Sequence, residues 1–341
     1  MDTEPFDMEA LADELHALVP GFSGLHAIEK FHTGQSNPTY RVEADSGRYV
    51  LRAKPPGTLL KSAHQVDREY RVMKALHENN VPVPRVFALS GEHSAIGRMY
   101  FVMEMVEGRI FWDPALPGMS VAERAAVYDG MNDVLGRLHS VDPEAAGLAD
   151  FGRSGNYFAR QIRRWSEQYL ASKTEDLPDM DRLMDWLLEN RPEDDGLVKV
   201  VHGDFRIDNM IFSAHGEKVL ALIDWELSTL GHPLADLSYQ CMQWRLPHQS
   251  GFRGLGGLDR AELGIPSEED YIARYAERSG IEIANWPFCL AFSFFRLAAI
   301  LQGVYKRSLD GNASNPEGAR EIAKAVPLLA SMANDVMTGK A

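Results

Sequence analysis

Short alternating runs of hydrophobic and polar residues occupy the first third of the chain, and turn residues separate them. Such alternation predicts strands, whereas hydrophobic residues three and four positions apart predict helices. The elements predicted in chain order are a helix at about 8–18, three strands within 25–54, a helix at about 62–79, and strands near 85–89 and 99–105. After its leading helix, the chain is thus predicted to form a small lobe of strands with one helix.

Beyond Gly108 the hydrophobic positions recur at helical spacing. Ser120 and Glu123 have the spacing of a capping box, which marks the start of a helix. Further helices are predicted near 156–172, 180–190, 234–245, 268–279, 287–308 and 316–337. Two apolar runs, Leu197 to Val201 and Val219 to Ile223, predict strands. The second part of the chain is therefore expected to be larger and mainly helical.

The densest group of reactive polar residues follows the first of these two strands. Asp204 comes two residues after His202, Asn209 comes five residues later, and Asp224 follows the second strand. In ATP-dependent phosphoryl transfer, one Asp orients or deprotonates the acceptor hydroxyl, while an Asn and another Asp hold magnesium. We therefore interpret Asp204 as the base or orienting carboxylate, and Asn209 and Asp224 as metal ligands. An ordinary turn is the alternative explanation, because Asp and Asn are common turn residues.

The patterns H-G-D-x-x-x-x-N, D-W-E and the segment from Gly231 to Leu237 resemble those of the aminoglycoside phosphotransferase and choline kinase superfamily. The resemblance covers roughly residues 25–245. It implies an α+β, two-lobed, protein-kinase-like fold with ATP and Mg²⁺ as cofactors. A small antiparallel-sheet N-lobe, residues 1–106, would bind the nucleotide. A larger, mainly helical C-lobe, residues 107–341, would carry the catalytic loop and the acceptor site.

The same resemblance implies roles for three further residues near the catalytic loop. Arg206 occupies the position of a cation that contacts the γ-phosphate, but a salt bridge to Asp208 or Asp236 would explain it equally well. His202 is expected to order the loop by hydrogen bonding rather than to act as an acid or base. Asp236 opens a helix, where a negative charge is favourable, and in relatives it also braces the loop.

In the first lobe, Glu69 lies on the hydrophobic face of its helix together with Val66 and Met73. A carboxylate that points inward needs a cationic partner, since an unpaired buried charge is costly. Arg52 and Lys54, two residues apart on a strand, are the candidates. The resemblance implies that Arg52 pairs with Glu69 and contacts the α- and β-phosphates, with Lys54 as the alternative. The alternative explanation is an ion pair that only fastens helix to sheet.

Two further segments of the first lobe are candidates for nucleotide contacts. Ser36 and Asn37 lie in the turn between the first two strands, where the family covers the phosphates with hydroxyl and amide donors; an ordinary hairpin turn is the alternative. Glu104, Met105 and Val106 resemble the hinge between the lobes, whose main-chain atoms can pair with adenine. The sequence does not distinguish ATP from GTP.

The composition of the chain limits the classes of binding partner and the cellular compartment that are expected. The net charge of −14 argues against nucleic acid, which demands a basic surface. Two cysteines, Cys241 and Cys289, without metal-ligand spacing favour a reduced, cytoplasmic setting.

The acidic N-terminal segment does not resemble a signal peptide. The apolar stretch from Phe288 to Tyr305 contains Arg296, so we predict a buried helix rather than a membrane span. The oligomeric state is left open.

The identity of the acceptor is the least determined feature. Within the superfamily, the segment from Glu107 to Pro114 is most similar to kinase-like domains that are associated with acyl-CoA dehydrogenases. This implies a small-molecule acceptor, a hydroxyacyl-CoA of the 4-hydroxyacyl type. Cations that could hold such a CoA thioester form a cluster on one predicted helix: Arg160, Arg163 and Arg164. The alternatives are an aminoglycoside or other amino-alcohol acceptor, and a non-catalytic nucleotide-binding regulatory protein.

Overall fold

The computed structural model describes residues 6–31, 37–57, 64–216, 218–248, 254–311 and 316–340. Its first lobe is a five-stranded antiparallel sheet with strand order β1-β2-β3-β5-β4 and two helices. The elements are α1 (Met8–Leu18), β1 (Leu25–Lys30), β2 (Thr39–Ala44), β3 (Gly47–Ala53), α2 (Val66–Glu78), β4 (Val86–Leu89) and β5 (Tyr100–Glu104). Every element predicted for this part of the chain is present. The predicted start of α2, residues 62 and 63, lies outside the described residues.

The alternation along β3 directs its side chains to opposite faces of the sheet. Leu51 and Ala53 are buried in one hydrophobic cluster with Leu11 and Leu15 of α1. Arg52 lies between them in sequence and points to the other face, where α2 packs against the sheet and the second lobe. The period of the strand thus places a guanidinium at the junction of the two lobes.

The second lobe contains nine helices and four short strands among the described residues. They are α3 (Val121–Ser140), α4 (Tyr157–Ser172), α5 (Pro178–Glu189), β6 (Lys199–Val201), β7 (Met210–Phe212), β8 (Val219–Leu222), β9 (Thr229–Gly231), α6 (Leu234–Arg245), α7 (Arg260–Leu263), α8 (Glu268–Ser279), α9 (Trp286–Leu309), α10 (Pro316–Ala323) and α11 (Ala325–Met337). Strands β6 and β9 form one antiparallel pair, and β7 and β8 form another.

The second lobe differs from the prediction in a few places. Strands β7 and β9 and the helix α7 were not predicted, because segments of three or four residues are too short to show a period. The predicted helix at 316–337 is divided into α10 and α11. Pro327 explains the break, since its ring lacks an N–H and clashes with the carbonyl four residues earlier, at the end of α10.

Helix α9 is the central element of the second lobe and packs against α4, α5, α6, α10 and α11. Among the described residues it is the one helix that is long and apolar enough to cross a membrane by length and composition. However, 83% of its most apolar stretch is buried inside the protein, as expected for a core helix. Arg296 lies near the middle of this helix and is only 4% exposed.

Helix α2 is fastened to the second lobe by two arginines. Arg68 donates a hydrogen bond of 2.6 Å to the carbonyl of Phe151, and its guanidinium lies 4.1 Å from the centroid of the Phe151 ring. Arg71 forms a salt bridge with Asp150 and donates to the carbonyl of Gly147 at 2.7 Å. The helix of the first lobe is therefore held directly by the second lobe.

The chain crosses between the lobes after β5, where it pairs with β7. The backbone N–H of Arg109 donates to the carbonyl of Phe212, and the N–H of Phe212 donates to that of Arg109, both at 2.8 Å. A Cβ atom at Gly108 would lie 2.3 Å from the Phe212 carbonyl oxygen. Glycine is needed here because no other residue permits such a close approach of the two backbones.

Candidate active site

The loop of residues 202–209, for which a catalytic role is predicted, follows β6, and its backbone path depends on Gly203. This residue has φ of +86°, and a Cβ atom on it would lie 2.7 Å from the Leu227 carbonyl oxygen. The ring of His202 donates through Nε2 to the carbonyl of Ile223 at 2.9 Å and accepts from the N–H of Asp204 at 3.2 Å. His202 thus connects the loop to the end of β8, an arrangement that corresponds to the predicted ordering role.

Asp236, at the start of α6, holds the loop from behind. It is fully buried and accepts hydrogen bonds from the backbone N–H groups of His202 and Gly203, at 2.6 and 2.8 Å. Burial by itself would raise the pKa of this carboxyl group. The adjacent His139 and the backbone donors outweigh burial and lower the pKa, so Asp236 is ionised at neutral pH.

Asp204 is held in one orientation by its neighbours. The side-chain nitrogen of Asn209 donates to the Asp204 carboxylate at 2.9 Å and to its carbonyl at 2.8 Å. Burial would raise the pKa of Asp204, but Arg206, His202 and hydrogen bonds from Tyr239 and Asn209 lower it below its usual range. A carboxylate of low basicity is better suited to orient a hydroxyl group than to remove its proton early.

Arg206 forms the salt bridge that the sequence left open as an alternative. Its Nη2 contacts the carboxylate of Asp208, and its Nε lies 3.7 Å from Asp204. Burial opposes the charged form, but attraction to Asp204, Tyr239 and Asp208 prevails and raises the pKa of the guanidinium. Asp208 therefore holds a permanent positive charge beside Asp204.

The two lobes meet in an ion-pair network centred on Arg52. Its Nε lies 2.8 Å from Glu69, and its Nη2 lies 3.0 Å from Asp224 and 3.7 Å from Glu226. Lys54 is directed elsewhere, since its Nζ lies 2.7 Å from Glu92. Of the two candidate cations, the structure brings Arg52 to Glu69 and to the catalytic side of the second lobe.

Asp224 follows β8 in an uncommon backbone conformation. Its φ of +67° and ψ of +66° are in the left-handed region, which Asp and Asn tolerate better than most residues. The N–H of Ile223 donates to the carbonyl of Asn209 at 2.9 Å, so the turn that carries Asp224 lies next to Asn209. The pairing of β7 with β8 thus brings together two residues that are distant in sequence.

The network has more negative than positive charge. Burial raises the pKa of Glu69 to about 7, and Asp224 and Glu226 add to this effect, while Arg52 and a hydrogen bond from Asn37 oppose it. For Arg52, burial opposes the charged form, but attraction to the three carboxylates raises its pKa. One guanidinium thus faces three carboxylates, and a divalent cation at Asp224 would offset the excess.

The donor set fits magnesium bound together with a nucleotide. Asp224 offers carboxylate oxygens, and Asn209, whose amide nitrogen is engaged by Asp204, offers an amide oxygen. No group of three or more His, Cys, Asp or Glu side chains able to hold a metal occurs among the described residues. Magnesium commonly needs only one or two protein ligands when phosphates and water complete its shell.

The predicted role of Asn37 has to be corrected. Its side-chain nitrogen donates to Glu69 at 2.7 Å, and its side-chain oxygen lies 2.8 Å from Nδ1 of His64. The buried Glu69 carboxylate needs a second donor besides Arg52, and Asn37 supplies it. Its side chain therefore bridges the turn to α2 instead of facing a phosphate. Ser36, the other candidate of this turn, lies outside the described residues.

The hinge segment retains free main-chain groups. Glu104 is tied to the strand edge, since its N–H donates to the carbonyl of Arg85 at 2.8 Å. By contrast, no described residue hydrogen-bonds to the backbone of Met105 or Val106. All three residues line an open cavity of about 480 Å³ that Leu220 of β8 borders from the second lobe. This geometry suits the recognition of a planar base by its edge.

The arginine cluster on α4 lies at the surface of the second lobe. Arg163 and Arg164 are exposed, and Arg164 lies 5.1 Å from the ring centroid of Trp165. Arg160 donates to the backbone carbonyls of Arg153 and Ser154. It lines a cavity of about 250 Å³, and none of residues 202–209 of the catalytic loop lines that cavity. The three side chains therefore do not converge on Asp204 in this structure.

Two residues near Asp204 were missed in the sequence. Tyr239, on α6, donates a hydrogen bond to the Asp204 carboxylate. Arg296, on α9, donates to the carbonyl of Gly203. Nothing in the local pattern marks Tyr239, which is one of many buried residues on α6. Arg296 does carry a signal in the sequence, because a charge in the middle of an apolar helix requires an explanation, but nothing in that pattern points to Asp204.

The unusual pKa of Glu69 predicts a pH-dependent stability. Folding raises this pKa from 4.5 to about 7, so the folded state binds more protons than the unfolded state between these pH values. The stabilisation is therefore present at low pH and is lost as the pH rises through 7. We expect Glu69→Gln to remove this pH dependence, which amounts to a total change of up to about 3 kcal/mol in unfolding free energy between the two pKa values.

The measurement is denaturant unfolding at several pH values between 4.5 and 8, with each variant compared with the wild type. Glu78→Gln is the matched control, because Glu78 lies on the same helix but is exposed. Equal slopes for the wild type and Glu69→Gln would show that Glu69 does not titrate in this range.

Comparison with known proteins identifies the family. The model of the phosphotransferase enzyme family matches residues 27–276. Acyl-CoA dehydrogenase family member 10 of Mus musculus is 46% identical over 333 residues, which cover 96% of this chain and 31% of that protein. Acyl-CoA dehydrogenase family member 11 of Rattus norvegicus is 42% identical over 318 residues, which cover 92% of this chain and 41% of that protein. The chain thus spans about a third to two fifths of these relatives.

Solved structures agree with this result. A crystal structure from Ralstonia eutropha, described as a candidate aminoglycoside phosphotransferase, is 48% identical, with a TM-score of 0.90 over 98% of this chain and 99% of the other. A spectinomycin phosphotransferase in complex with ADP and spectinomycin is 12% identical, with a TM-score of 0.66 over 97% of this chain and 99% of the other, and shares the fold alone. The fold class and the family resemblance predicted from the sequence are therefore confirmed. The chain belongs to the phosphotransferase enzyme family.

Proposed function

We propose that this protein transfers the γ-phosphoryl group of ATP, with magnesium, to the hydroxyl group of a hydroxyacyl-CoA of the 4-hydroxyacyl type. The observation that carries the proposal is the meeting of two lobes around Asp224, where Arg52 approaches from the first lobe and Asn209 from the second. These groups are the ones that a nucleotide phosphate chain and its metal require.

The nucleotide half of the reaction uses both lobes. The unpaired backbone groups of Met105 and Val106 bind the edge of the adenine, and Arg52, held by Glu69, binds the phosphates. Asn209 and Asp224 hold magnesium, which supplies neutralisation of charge on the phosphate oxygens. The Arg52 guanidinium is already oriented before the nucleotide enters, because two of its nitrogens are fixed by carboxylates.

The acceptor half is centred on Asp204. Its ionised carboxylate accepts a hydrogen bond from the acceptor hydroxyl, aligns that oxygen with the γ-phosphoryl group and takes the proton late in the reaction. Arg206, fixed by Asp208, lies next to this point and stabilises negative charge that develops during transfer. The loop is held by Asp236 from behind, so these groups need little rearrangement.

The choice of acceptor is supported by the names of the relatives. The chain matches parts of proteins that are named as acyl-CoA dehydrogenase family members, at 46% and 42% identity. An aminoglycoside is the second candidate, because the 48% identical protein of Ralstonia eutropha is described as a candidate aminoglycoside phosphotransferase, and a net charge of −14 suits a polycation. A non-catalytic regulatory protein is less well supported, since Asp204, Asn209 and Asp224 are all present.

The test of the acceptor is a direct comparison of substrates. We expect ATP and magnesium to phosphorylate 4-hydroxyacyl-CoA esters, and we expect no comparable turnover of kanamycin-type aminoglycosides. Mass spectrometry would detect the added phosphoryl group. Activity on the antibiotics with none on any CoA ester would contradict the proposed acceptor and favour the second candidate.

The α4 arginines provide a separate prediction for a CoA acceptor. Replacing Arg160, Arg163 and Arg164 with Ala should raise the KM for the acceptor by about 5-fold for each arginine–phosphate interaction removed, and spare the KM for ATP. Added salt should act in the same direction on the wild type through screening. A control triple variant changes the net charge equally at three exposed positions away from α4: Arg137→Ala, Arg182→Ala and Arg307→Ala. Equal effects in both triples would indicate that only net charge matters.

A further inference from the structure

Arg296 is a buried cation with few partners. Its side chain is only 4% exposed, and its Nη2 donates to the carbonyl of Gly203 in the catalytic loop. Its Nε and Nη1 are closed to solvent and have no hydrogen-bond partner among the described residues. No described carboxylate lies within salt-bridge distance of the guanidinium, in contrast to Arg52 and Arg206.

Two aromatic rings flank this guanidinium. Its central carbon lies 5.8 Å from the ring centroid of Trp165, on α4, and 5.4 Å from that of Tyr239, on α6. Tyr239 also donates its hydroxyl hydrogen to Asp204. Arg296 is therefore adjacent to the acceptor end of the catalytic loop through two routes, the Gly203 backbone and the Tyr239 side chain.

The burial of Arg296 without a carboxylate partner carries an energetic cost that requires an explanation. Burying a charge is unfavourable, and leaving its donors unpaired adds a further penalty. The bond to Gly203 uses one nitrogen, and a neutral donor could supply that bond. The aromatic faces stabilise the charge but do not satisfy the two remaining N–H groups. The guanidinium therefore has two oriented, unpaired donors next to the loop that carries Asp204, and an oxygen atom of a ligand could accept hydrogen bonds from them.

We propose that Arg296 binds an acyl oxygen of the acceptor, so that the same molecule presents its hydroxyl group to Asp204. The inference rests on the proposed function and deepens it. The oxygen is either the thioester carbonyl oxygen of a hydroxyacyl-CoA or a carboxylate oxygen of the free hydroxy acid. To reach the closed N–H groups, the acceptor displaces Trp165, which also contacts the exposed Arg164. A polycationic acceptor is disfavoured here, because its ammonium groups repel the guanidinium.

The experiment measures kcat/KM for three acceptors with ATP and magnesium: 4-hydroxypentanoyl-CoA, 4-hydroxypentanoate, and pentan-2-ol, which lacks the acyl oxygens. The proteins are the wild type, Arg296→Met, Arg296→Lys and the control Arg307→Met, which alters an exposed arginine of the same helix. We expect Arg296→Met to lower the ratio of kcat/KM for the acyl acceptor to that for pentan-2-ol by about 10²-fold, mainly through KM. The ester and the free acid distinguish the two sources of the oxygen.

Each outcome either supports the inference about Arg296 or overturns it. A variant in which the activities fall in parallel and the ratio is unchanged would show that Arg296 only positions Gly203, and would overturn the inference. If Arg296→Met does not fold, Arg296→Lys decides, because it keeps the charge but loses the planar fork and should lower the same ratio by a smaller factor. Arg307→Met should leave the ratio unchanged.

A second measurement separates this inference from the proposed function. We expect 4-hydroxypentanoyl-CoA or 4-hydroxypentanoate to raise the melting temperature of the wild type and to have a smaller effect on Arg296→Met. If the wild type neither binds nor turns over either compound, but ATP with magnesium still stabilises it, the inference is overturned and the nucleotide half of the proposed function stands. If ATP with magnesium also has no effect, the proposed function fails as well.

Discussion

Asp204→Asn is expected to lower kcat by about 10²–10⁴-fold while nucleotide binding persists. The amide keeps the shape of the side chain and can still contact Asn209 and Tyr239, but it cannot accept the proton of the acceptor hydroxyl. It also leaves Arg206 with Asp208 as its remaining anionic neighbour. Steady-state kinetics at a saturating acceptor concentration measures the loss of turnover. The shift in melting temperature caused by ATP shows whether nucleotide binding is retained.

Asp7→Asn is a suitable control for this variant. Asp7 caps the start of α1 through its side chain, and Asn caps helices equally well, so stability and turnover should stay near those of the wild type. Turnover of Asp204→Asn close to that of the wild type would mean that the carboxylate of Asp204 has been assigned the wrong role.

Asp224→Ala should abolish the part of nucleotide stabilisation that depends on magnesium and lower turnover by about 10²–10³-fold. For the wild type, ATP with magnesium at a hundredfold excess over its Kd should stabilise the fold by about 2.7 kcal/mol. Without the carboxylate, only Asn209 remains from the two metal ligands. The measurement is the melting shift by ATP with and without magnesium, for the wild type and the variant.

The backbone at Asp224 requires an additional variant. Because its φ is +67°, Ala is strained at this position, and part of any effect could come from the turn itself. Asp224→Gly removes the carboxylate but accepts positive φ without strain. A magnesium-dependent shift that persists in both variants would exclude Asp224 as a ligand.

Much of the fold follows from features that are visible in the sequence. Periodicity predicts the long helices and the five strands of the first lobe, because each of these segments buries one face against a continuous core. The short strands β7 and β9 are different, since a three-residue strand exists only because its partner strand is placed beside it. Their pairing is a consequence of the assembled lobe, which no local pattern encodes.

The residues of the candidate site also include some that the sequence could predict and some that it could not. The need of Glu69 for a cation could be predicted, because a carboxylate on a hydrophobic helix face requires a nearby positive charge, and the family resemblance indicated Arg52 rather than Lys54. The position of Asn37 could not, since its place in a turn suggested a phosphate contact or an ordinary hairpin turn, while the structure buries it against Glu69. Tyr239 and Arg296 come from helices far along the chain, so their approach to Asp204 depends on how α6 and α9 pack.

The two arginines that fasten α2 to the second lobe have a mechanical consequence. Arg68 and Arg71 bind Phe151, Asp150 and Gly147 of the second lobe, while the opposite side of α2 packs against β4 and β5 of the sheet. The helix is therefore tied to both lobes. Opening the cleft would strain either these two arginine contacts or the pair of Arg52 with Glu69. Any regulatory movement of α2 away from the second lobe would first have to break the contacts of both Arg68 and Arg71.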